Sequence, residues 1–134
     1  MLPGMTPAPS LLATYLRLRP DSAIEELPAE GFWQRLMGGA LGNFHHEYLV
    51  TTAHYSQSWQ SWEQHPMGEE IVCLLSGRVT LIQERDGQQV EVQLADTGQY
   101  ALNPRGTWHT ADVHENSLLL FITAGEGTVT RPRS

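Results

Sequence analysis

Four residues whose side chains can bind a divalent metal fall into two short blocks of this sequence. Glu63 and His65 stand two residues apart and are followed by Glu70, and His109 lies further along the chain. Residues two apart on an extended segment project from the same face, so Glu63 and His65 share one face of a strand. Two imidazoles and one or two carboxylates suit Mn²⁺, Fe²⁺, Ni²⁺ or Zn²⁺. The sequence predicts a site for one divalent transition metal and does not separate these four ions.

Charge argues for the same interpretation. A carboxylate in a dry protein interior costs several kcal/mol unless a partner compensates it. A metal can neutralise the two glutamates, a histidinium or arginine can pair with them, or one can stay protonated with a raised pKa. We favour the metal because it satisfies all four side chains together. Two glutamates make the site of a 2+ ion formally neutral, which disfavours hydrolysis by a metal-activated hydroxide.

The elements that must hold these residues are short strands. Runs of about six residues recur at intervals near ten without helices between them, which is typical of a sandwich or barrel. Glu70 to Leu75 is apolar on both faces and predicts a central, covered strand. Asp86-Gly87 predicts a hairpin. Glycines 77, 98 and 106 permit tight turns at strand ends.

The first 40 residues are less regular. Residues 1–10 contain three prolines and are interpreted as a mobile arm, and Leu11–Arg19 fits a strand or a short helix. Ser22-Ala23-Ile24-Glu25 has the form of a capping box and predicts a helical turn that ends near Pro28. Phe32–Met37 predicts another short helix, ended by two glycines.

The two blocks together resemble the two motifs of the cupin superfamily. The first motif is matched by Glu63-Gln64-His65, four residues, Glu70, six residues and Gly77. The second is matched by Gly98, five residues, Pro104-Arg105-Gly106, two residues and His109. Two positions depart from the pattern, because Glu63 replaces the usual first histidine and Val113 replaces the final asparagine. The chain is similar to small single-domain cupins of type 2 that use Glu-x-His.

This resemblance implies an all-β fold: a single jelly-roll (double-stranded β-helix) barrel, with a short N-terminal arm carrying one or two helical turns. The arm would occupy residues 1–40, the barrel 41–124 and a peripheral tail 125–134. The resemblance also implies a metal held by Glu63, His65, Glu70 and His109, a small-molecule ligand at the barrel mouth, and a homodimer that uses N-terminal strands. Two alternatives to coordination are open for Glu63: an acceptor that orients a histidine, or a general base, which makes it the candidate catalytic residue.

Three functions remain open at this stage. The first is a metal-dependent enzyme, an oxygenase or isomerase, on a small polar organic molecule. The second is a non-catalytic module that binds or senses a small ligand in the same pocket. The third is a metal-free epimerase-type protein with His65 or His109 as the base, against which Glu70 stands because it adds little to a histidine base but completes a metal site.

The composition of the chain limits the classes of partner that we expect. The chain has 134 residues, enough for one domain, and a formal net charge of −7. All eight basic residues are scattered arginines, so we expect no nucleic-acid partner. No apolar run approaches the roughly 18 residues that span a bilayer, and the N-terminus lacks a basic region, so we expect no membrane partner, no signal peptide and a cytoplasmic location.

Other chemically capable residues receive structural interpretations. His45, His46 and His54 are expected to be solvated or structural, and His114 to lie in a turn. Cys73, the single cysteine, is expected to be a small buried hydrophobe. The aromatic residues near the motifs are interpreted as core and rim packing in preference to a substrate platform; they are Trp59, Trp62, Tyr100 and Trp108. Arg78 and Arg105 are expected at the solvated rim of the barrel.

Overall fold

The computed structural model describes residues 4–134, in which two antiparallel sheets face each other. The first strands and the single helix of these residues are β1 Thr14–Leu18, β2 Ile24–Pro28, α1 Phe32–Met37, β3 Tyr48–Tyr55, β4 Ser61–Gln64 and β5 Glu70–Ser76. The remaining strands are β6 Val79–Arg85, β7 Gln88–Leu94, β8 Tyr100–Asn103, β9 His109–Val113, β10 Ser117–Thr123 and β11 Val129–Pro132. The predicted all-β jelly-roll is confirmed, and residues 1–3 of the predicted N-terminal arm lie outside the described residues.

One sheet has six strands in the order β2-β1-β3-β10-β5-β8. Strand β5 lies between β10 and β8, as expected for the apolar run that begins at Glu70. Its side chains alternate between the interior and the outer face: Val72 and Leu74 are fully buried, whereas Cys73 is only half-buried. The expectation of a buried cysteine is therefore wrong, because Cys73 lies on the outer face of this sheet, where its neighbours on β5, Ile71 and Leu75, are also only half-buried.

The other sheet has five strands in the order β11-β4-β9-β6-β7. Strands β6 and β7 form the hairpin predicted from Asp86-Gly87, and both turn residues have positive φ angles of 52° and 78°. Two successive residues with positive φ give the turn whose twist matches that of paired strands. The core lies between the sheets and includes Leu81, Leu119 and Phe121.

The N-terminal region adds strands to the first sheet. Strand β1 pairs with β2 and β3, so the strand alternative for Leu11–Arg19 holds for residues 14–18. The helical turn predicted from Ser22 to Glu25 is wrong, because residues 24–28 pair with β1 as strand β2. Ser22 instead lies in the turn between the two strands with a φ angle of 73°. Helix α1 spans Phe32–Met37, as predicted.

Gly77 turns the chain between β5 and β6 with a φ angle of 96°. A Cβ atom there would overlap Ser117 Oγ and would lie 2.6 Å from the carbonyl oxygen of Asn116. We expect Gly77→Ala to lower the free energy of unfolding by about 3 kcal/mol, since backbone strain and overpacking add. Gly87→Ala is the matched control: its φ is 78°, but no atom lies within 4 Å of the added Cβ. Urea denaturation of both variants separates the cost of backbone strain, which both share, from the cost of steric overlap, which only Gly77→Ala has. Equal losses in the free energy of unfolding would contradict the overlap.

Candidate metal centre

Strand ends bring the four predicted residues together. Glu63 lies in β4 opposite His109, the first residue of β9, and His65 follows the end of β4. Glu70 is the first residue of β5 in the facing sheet. The sequence spacing thus corresponds to a register in which one sheet supplies two imidazoles and a carboxylate, and the other supplies the second carboxylate.

Glu70 lies directly beside both imidazoles. Its Oε1 atom is 3.0 Å from His109 Nε2, and its Oε2 atom is 3.2 Å from His65 Nε2. Glu63, His65 and His109 can each offer one ligand atom such that all three atoms lie within 4.8 Å of one another. Three of the four residues are buried and Glu63 is half-buried. The structure therefore brings all four sequence-predicted residues to one place.

Hydrogen bonds fix which nitrogen of each ring carries a proton. His109 Nδ1 lies 3.1 Å from the carbonyl oxygen of Thr107, which can only accept, so Nδ1–H donates. His65 Nδ1 lies 2.9 Å from Thr128 Oγ1. That hydroxyl already donates to the carbonyl oxygen of Gly125, so it accepts from His65. In the neutral imidazoles both Nε2 atoms therefore carry a lone pair that faces the site.

Neither Nε2 atom has a hydrogen-bond partner, although both are buried. The Glu70 oxygens are close enough for ion pairs but lie off the direction of a ring hydrogen bond. Buried polar atoms without partners are rare and need an explanation. A cation between the two rings would be contacted by both lone pairs and would explain the missing hydrogen bonds. The residues present therefore fit a metal ion.

A buried amide network holds Glu70 in place. Asn103 Nδ2 donates to Glu70 Oε1 at 2.9 Å, and Thr123 Oγ1 donates to Oε2 at 2.6 Å. Gln83 Nε2 in turn donates to Asn103 Oδ1 at 2.7 Å, which fixes the orientation of the amide. Burial by itself raises the pKa of Glu70, but the adjacent His109 and His65 imidazoles, which favour the charged carboxylate, outweigh it and hold this pKa well below its usual range.

The pKa values of His109 and Glu63 are raised, in contrast to that of Glu70. Burial lowers the pKa of His109, yet Glu70 outweighs it, so the net pKa is raised. Burial and then the charge of Glu70 raise the pKa of Glu63, with partial compensation from His65 and His109. Without a metal, Glu70 is therefore the preferred anion of the pair, and His109 is the imidazole that it holds in the charged form.

The other sequence candidates lie away from this place. His45, His46 and His54 are exposed, and His45 pairs with Glu126 at 3.0 Å. His114 is exposed with its Nε2 2.7 Å from Thr80 Oγ1. The remaining outcomes follow their expectations: Arg78 and Arg105 are exposed, and Trp62 is buried. Tyr100 departs from packing, because 59% of it is exposed on the outer face of the first sheet.

Sequence reasoning missed the residues that orient the site. Gln83, Asn103 and Thr123 read as ordinary strand residues, and Thr107 and Thr128 as turn residues. One signal was present: Gln83 is a polar residue on the same face as Leu81, and Asn103 lies between the turn at Pro104 and an apolar strand position. Buried amides are kept only where they are hydrogen-bonded, so both positions indicated a polar network.

Tyr55 and Trp59 form an aromatic edge to the site. Their ring centroids are 5.5 Å apart, and the Trp59 ring is 6.4 Å from the ring of His109. Burial, followed by the charges of Glu63 and Glu70, raises the pKa of Tyr55 to about 12. Its hydroxyl is therefore a stable donor across the physiological pH range.

Solved structures of similar fold include two enzymes. An uncharacterized conserved protein with a double-stranded β-helix domain from Klebsiella pneumoniae is 18% identical over 65% of this chain and 75% of its own, with a TM-score of 0.51. Oxalate oxidase is 13% identical over 61% of this chain and 45% of its own, with a TM-score of 0.52. A hydroquinone 1,2-dioxygenase, solved with Cd²⁺ and 4-hydroxybenzonitrile, is 18% identical over 57% of this chain and 56% of its own, with a TM-score of 0.50.

These similarities establish the fold. This chain spans about half the length of the two enzymes, and its identity to all three proteins is below one fifth. No family model matches the sequence, and no curated protein is similar to it. Among the described residues no helix is long and apolar enough to cross a membrane.

Proposed function

We propose that this chain, which has the fold of the cupin superfamily, binds one divalent transition-metal ion through Glu63, His65, Glu70 and His109. The observation that carries the proposal is the pair of buried Nε2 atoms without hydrogen-bond partners. Each ring donates its other N–H to a fixed acceptor, so both lone pairs face one point. The donor set of two imidazoles and two carboxylates suits Mn²⁺, Fe²⁺, Ni²⁺ or Zn²⁺.

The activity that fits this centre best is oxygenation or isomerisation of a small polar organic molecule. When bound, the metal supplies a Lewis acid or a redox partner for such chemistry. The chain's own residues hold and orient the two imidazoles through Thr107 and Thr128, fix Glu70 through Asn103 and Thr123, and present Glu63 to a neighbouring cavity. As the alternative to coordination, Glu63 Oε at that position accepts or returns a proton of the bound molecule.

Elemental analysis of protein purified without a tag or added metal tests this proposal. We expect near one equivalent of a single transition metal, or uptake of one equivalent of Mn²⁺, Fe²⁺, Ni²⁺ or Zn²⁺ by protein treated with a chelator. Retention of metal by Glu63→Gln with loss of turnover would assign Glu63 to proton transfer in place of coordination. Failure to bind any of these ions, or activity that survives chelation, would contradict the proposal and favour the metal-free epimerase alternative.

We also propose that two copies of the chain associate through the outer face of the six-stranded sheet. The outward positions on β10 are Leu118, Leu120 and Ile122, all half-buried, and the edge strand β8 exposes Tyr100 and Leu102. The outward positions of β3, β10, β5 and β8 carry no acidic or basic residue other than His54. An uncharged sheet face of this kind is typical of an interface, and a second copy offers the same surface.

Leu120→Glu is expected to convert the dimer to a monomer, because two buried charges would face each other at the centre of the interface. Light scattering after gel filtration should give twice the 15.0 kDa chain mass for the unaltered protein and a single chain mass for the variant. Val90→Glu, at an exposed position of the other sheet, is the matched control and should remain dimeric. A monomeric unaltered protein at tens of micromolar would contradict the proposed interface.

A further inference from the structure

The indole nitrogen of Trp59 is a buried donor that the metal proposal leaves unexplained. Three buried side-chain polar atoms in the described part of the chain lack a hydrogen-bond partner: Nε2 of His65, Nε2 of His109 and Nε1 of Trp59. A cation between the two imidazoles explains the first two. It does not explain Trp59, because an indole N–H donates and has no lone pair to offer a cation. Buried donors without a partner are rare, so this one indicates a missing acceptor.

Trp59 contacts both a cavity and the candidate metal centre. It lines a cavity of about 290 Å³ at the connection between β3 and β4. The centroid of its ring is 6.4 Å from that of the His109 ring, and the two planes are inclined at 62°. The backbone N–H of Trp59 donates to the carbonyl oxygen of Ala111 at 3.0 Å, which fixes Trp59 against β9 close to His109. A molecule in this cavity therefore lies against Trp59, which in turn packs against a proposed metal ligand.

The rings around Trp59 do not supply the acceptor. The rings of Tyr55 and Phe121 lie 5.5 and 6.1 Å from it, tilted by 44° and 36°. Neither pair is edge-to-face, the arrangement in which the N–H at the edge of one ring points at the face of the other. The ring of His109 is closer to edge-to-face, but an imidazole that binds a metal is a poor acceptor for a further donor. The cavity is thus the place from which an acceptor can reach Trp59.

The rest of the cavity wall suits a small, flat molecule. Tyr55 and Trp59 contribute aromatic rings, and Gln57, Ser58 and Gln60 contribute amides and a hydroxyl. Aromatic rings with a few polar groups are the usual lining of a site for an organic ligand. The volume is at the lower end of the range for such sites, which limits the ligand to about one ring with a polar substituent.

We propose that this cavity binds a small, flat molecule through a carbonyl oxygen that accepts a hydrogen bond from Trp59 Nε1–H, which makes Trp59 a specificity-determining residue. An amide, a ketone or a carboxylate carries such an oxygen, whereas sulfur in its place is a weak acceptor. The inference rests on the proposed function in naming the class of molecule held beside the metal centre. The hydrogen bond itself needs no metal, so the two proposals can fail separately.

Calorimetric titration with benzamide and thiobenzamide tests the inference. Both probes are uncharged and similar in shape, and they differ in the atom that accepts from Trp59. Each is titrated into chelator-treated protein and into protein carrying one equivalent of Mn²⁺. We expect Trp59→Phe to weaken benzamide binding about fivefold, as for one lost hydrogen bond, and to change thiobenzamide binding less than about twofold. The comparison isolates the hydrogen bond, because a loss of ring packing would weaken both probes alike.

Trp108→Phe is the matched control. Trp108 is also half-buried, but it lies outside the cavity, with its ring centre 4.4 Å from the guanidinium carbon of Arg131, and its loss should leave both affinities unchanged. Equal changes for the two probes in Trp59→Phe, or no binding of either probe by the unaltered protein at millimolar concentration, would overturn the inference. A selective loss of benzamide binding in protein that takes up no metal would support this hydrogen bond and contradict the metal proposal alone.

Discussion

Replacing His109 with alanine should lower the affinity of this protein for Mn²⁺ or Ni²⁺ by more than about 100-fold. Loss of a group that only orients a metal ligand typically costs 10- to 100-fold, and His109 is proposed as a ligand itself. Its ring is completely buried and its Nε2 atom has no partner other than the site. His65→Ala should have the same effect, because its Nε2 atom occupies the equivalent position beside Glu70.

Metal competition with a chromophoric chelator measures these affinities. His54→Ala is the matched control, because that histidine is exposed on β3 and should leave the affinity unchanged. Because His65→Ala and His109→Ala change buried residues, a loss of metal could also reflect a loss of folding, so an exposed variant is needed as well. Thr128 is exposed, and Thr128→Val removes the acceptor for His65 Nδ1–H together with the hydroxyl's own hydrogen bond to the carbonyl oxygen of Gly125, so a loss of about tenfold is expected with an intact fold. Thr97→Val is its control, because that exposed hydroxyl also donates to a carbonyl oxygen, that of Leu75, and metal binding that survives both histidine changes would refute the site.

The proximity of the four residues could be predicted from the sequence because each motif is a local pattern and the resemblance joins the second motif, with His109, to the first. Glu63 and His65 belong to the end of one strand and its continuation, Glu70 begins the next strand, and His109 begins another. The residues that orient them could not be predicted in the same way. Thr123 reaches Glu70 only because β10 pairs with β5, and that register depends on contacts distant in sequence.

The error at Ser22 has a different physical origin. The capping-box pattern is a local preference worth about 1 kcal/mol. In the folded chain residues 24–28 form a complete ladder with β1, and Leu27 packs in the N-terminal core with Tyr15 and Phe32. Burial of such side chains contributes more than the cap, at about 1.5 to 3 kcal/mol each. Tertiary pairing therefore overrode the local signal, whereas helix α1 between Gly31 and Gly38 followed its own sequence.

Arg17→Met is expected to destabilise the protein by about 3 kcal/mol. Arg17 donates to both carboxylate oxygens of Glu47, at 2.9 and 2.8 Å, and the two side chains are 9% and 6% exposed. The substitution keeps much of the side-chain volume but leaves Glu47 buried with Arg19 as its remaining partner, at 3.2 Å. It also removes the guanidinium that lies 4.1 Å from the centre of the Phe44 ring. Nothing in the sequence pattern marked this pair, since its members are 30 residues apart.

Urea denaturation measures this loss, and Arg78→Met provides a surface control. Arg78 is 3.9 Å from Glu115, with side chains 50% and 60% exposed, and its loss should cost less than about 0.5 kcal/mol. Combining Arg17→Met with Glu47→Leu should recover most of the stability, because the stranded charge is then gone. A double variant as unstable as the single one would show that packing against Phe44, and not the ion pair, is what Arg17 provides.

The ion pair between Arg17 and Glu47 also makes the free energy of unfolding depend on pH. The hydrogen bond from Arg17 lowers the pKa of Glu47 against the opposing effect of burial, with further help from the charges of Arg17 and Arg19. The folded pKa thus lies below that of the unfolded chain, about 4.3. The pair's contribution is therefore complete above that value and is lost as the pH falls through the folded pKa. In Arg17→Met the buried Glu47 carboxylate is unpaired, so its protonation stabilises the folded variant. The difference in free energy of unfolding between the variant and the unaltered protein should therefore shrink between pH 6 and about pH 3. A deficit that is constant across that range would mean that the charge of Glu47 does not contribute to the difference.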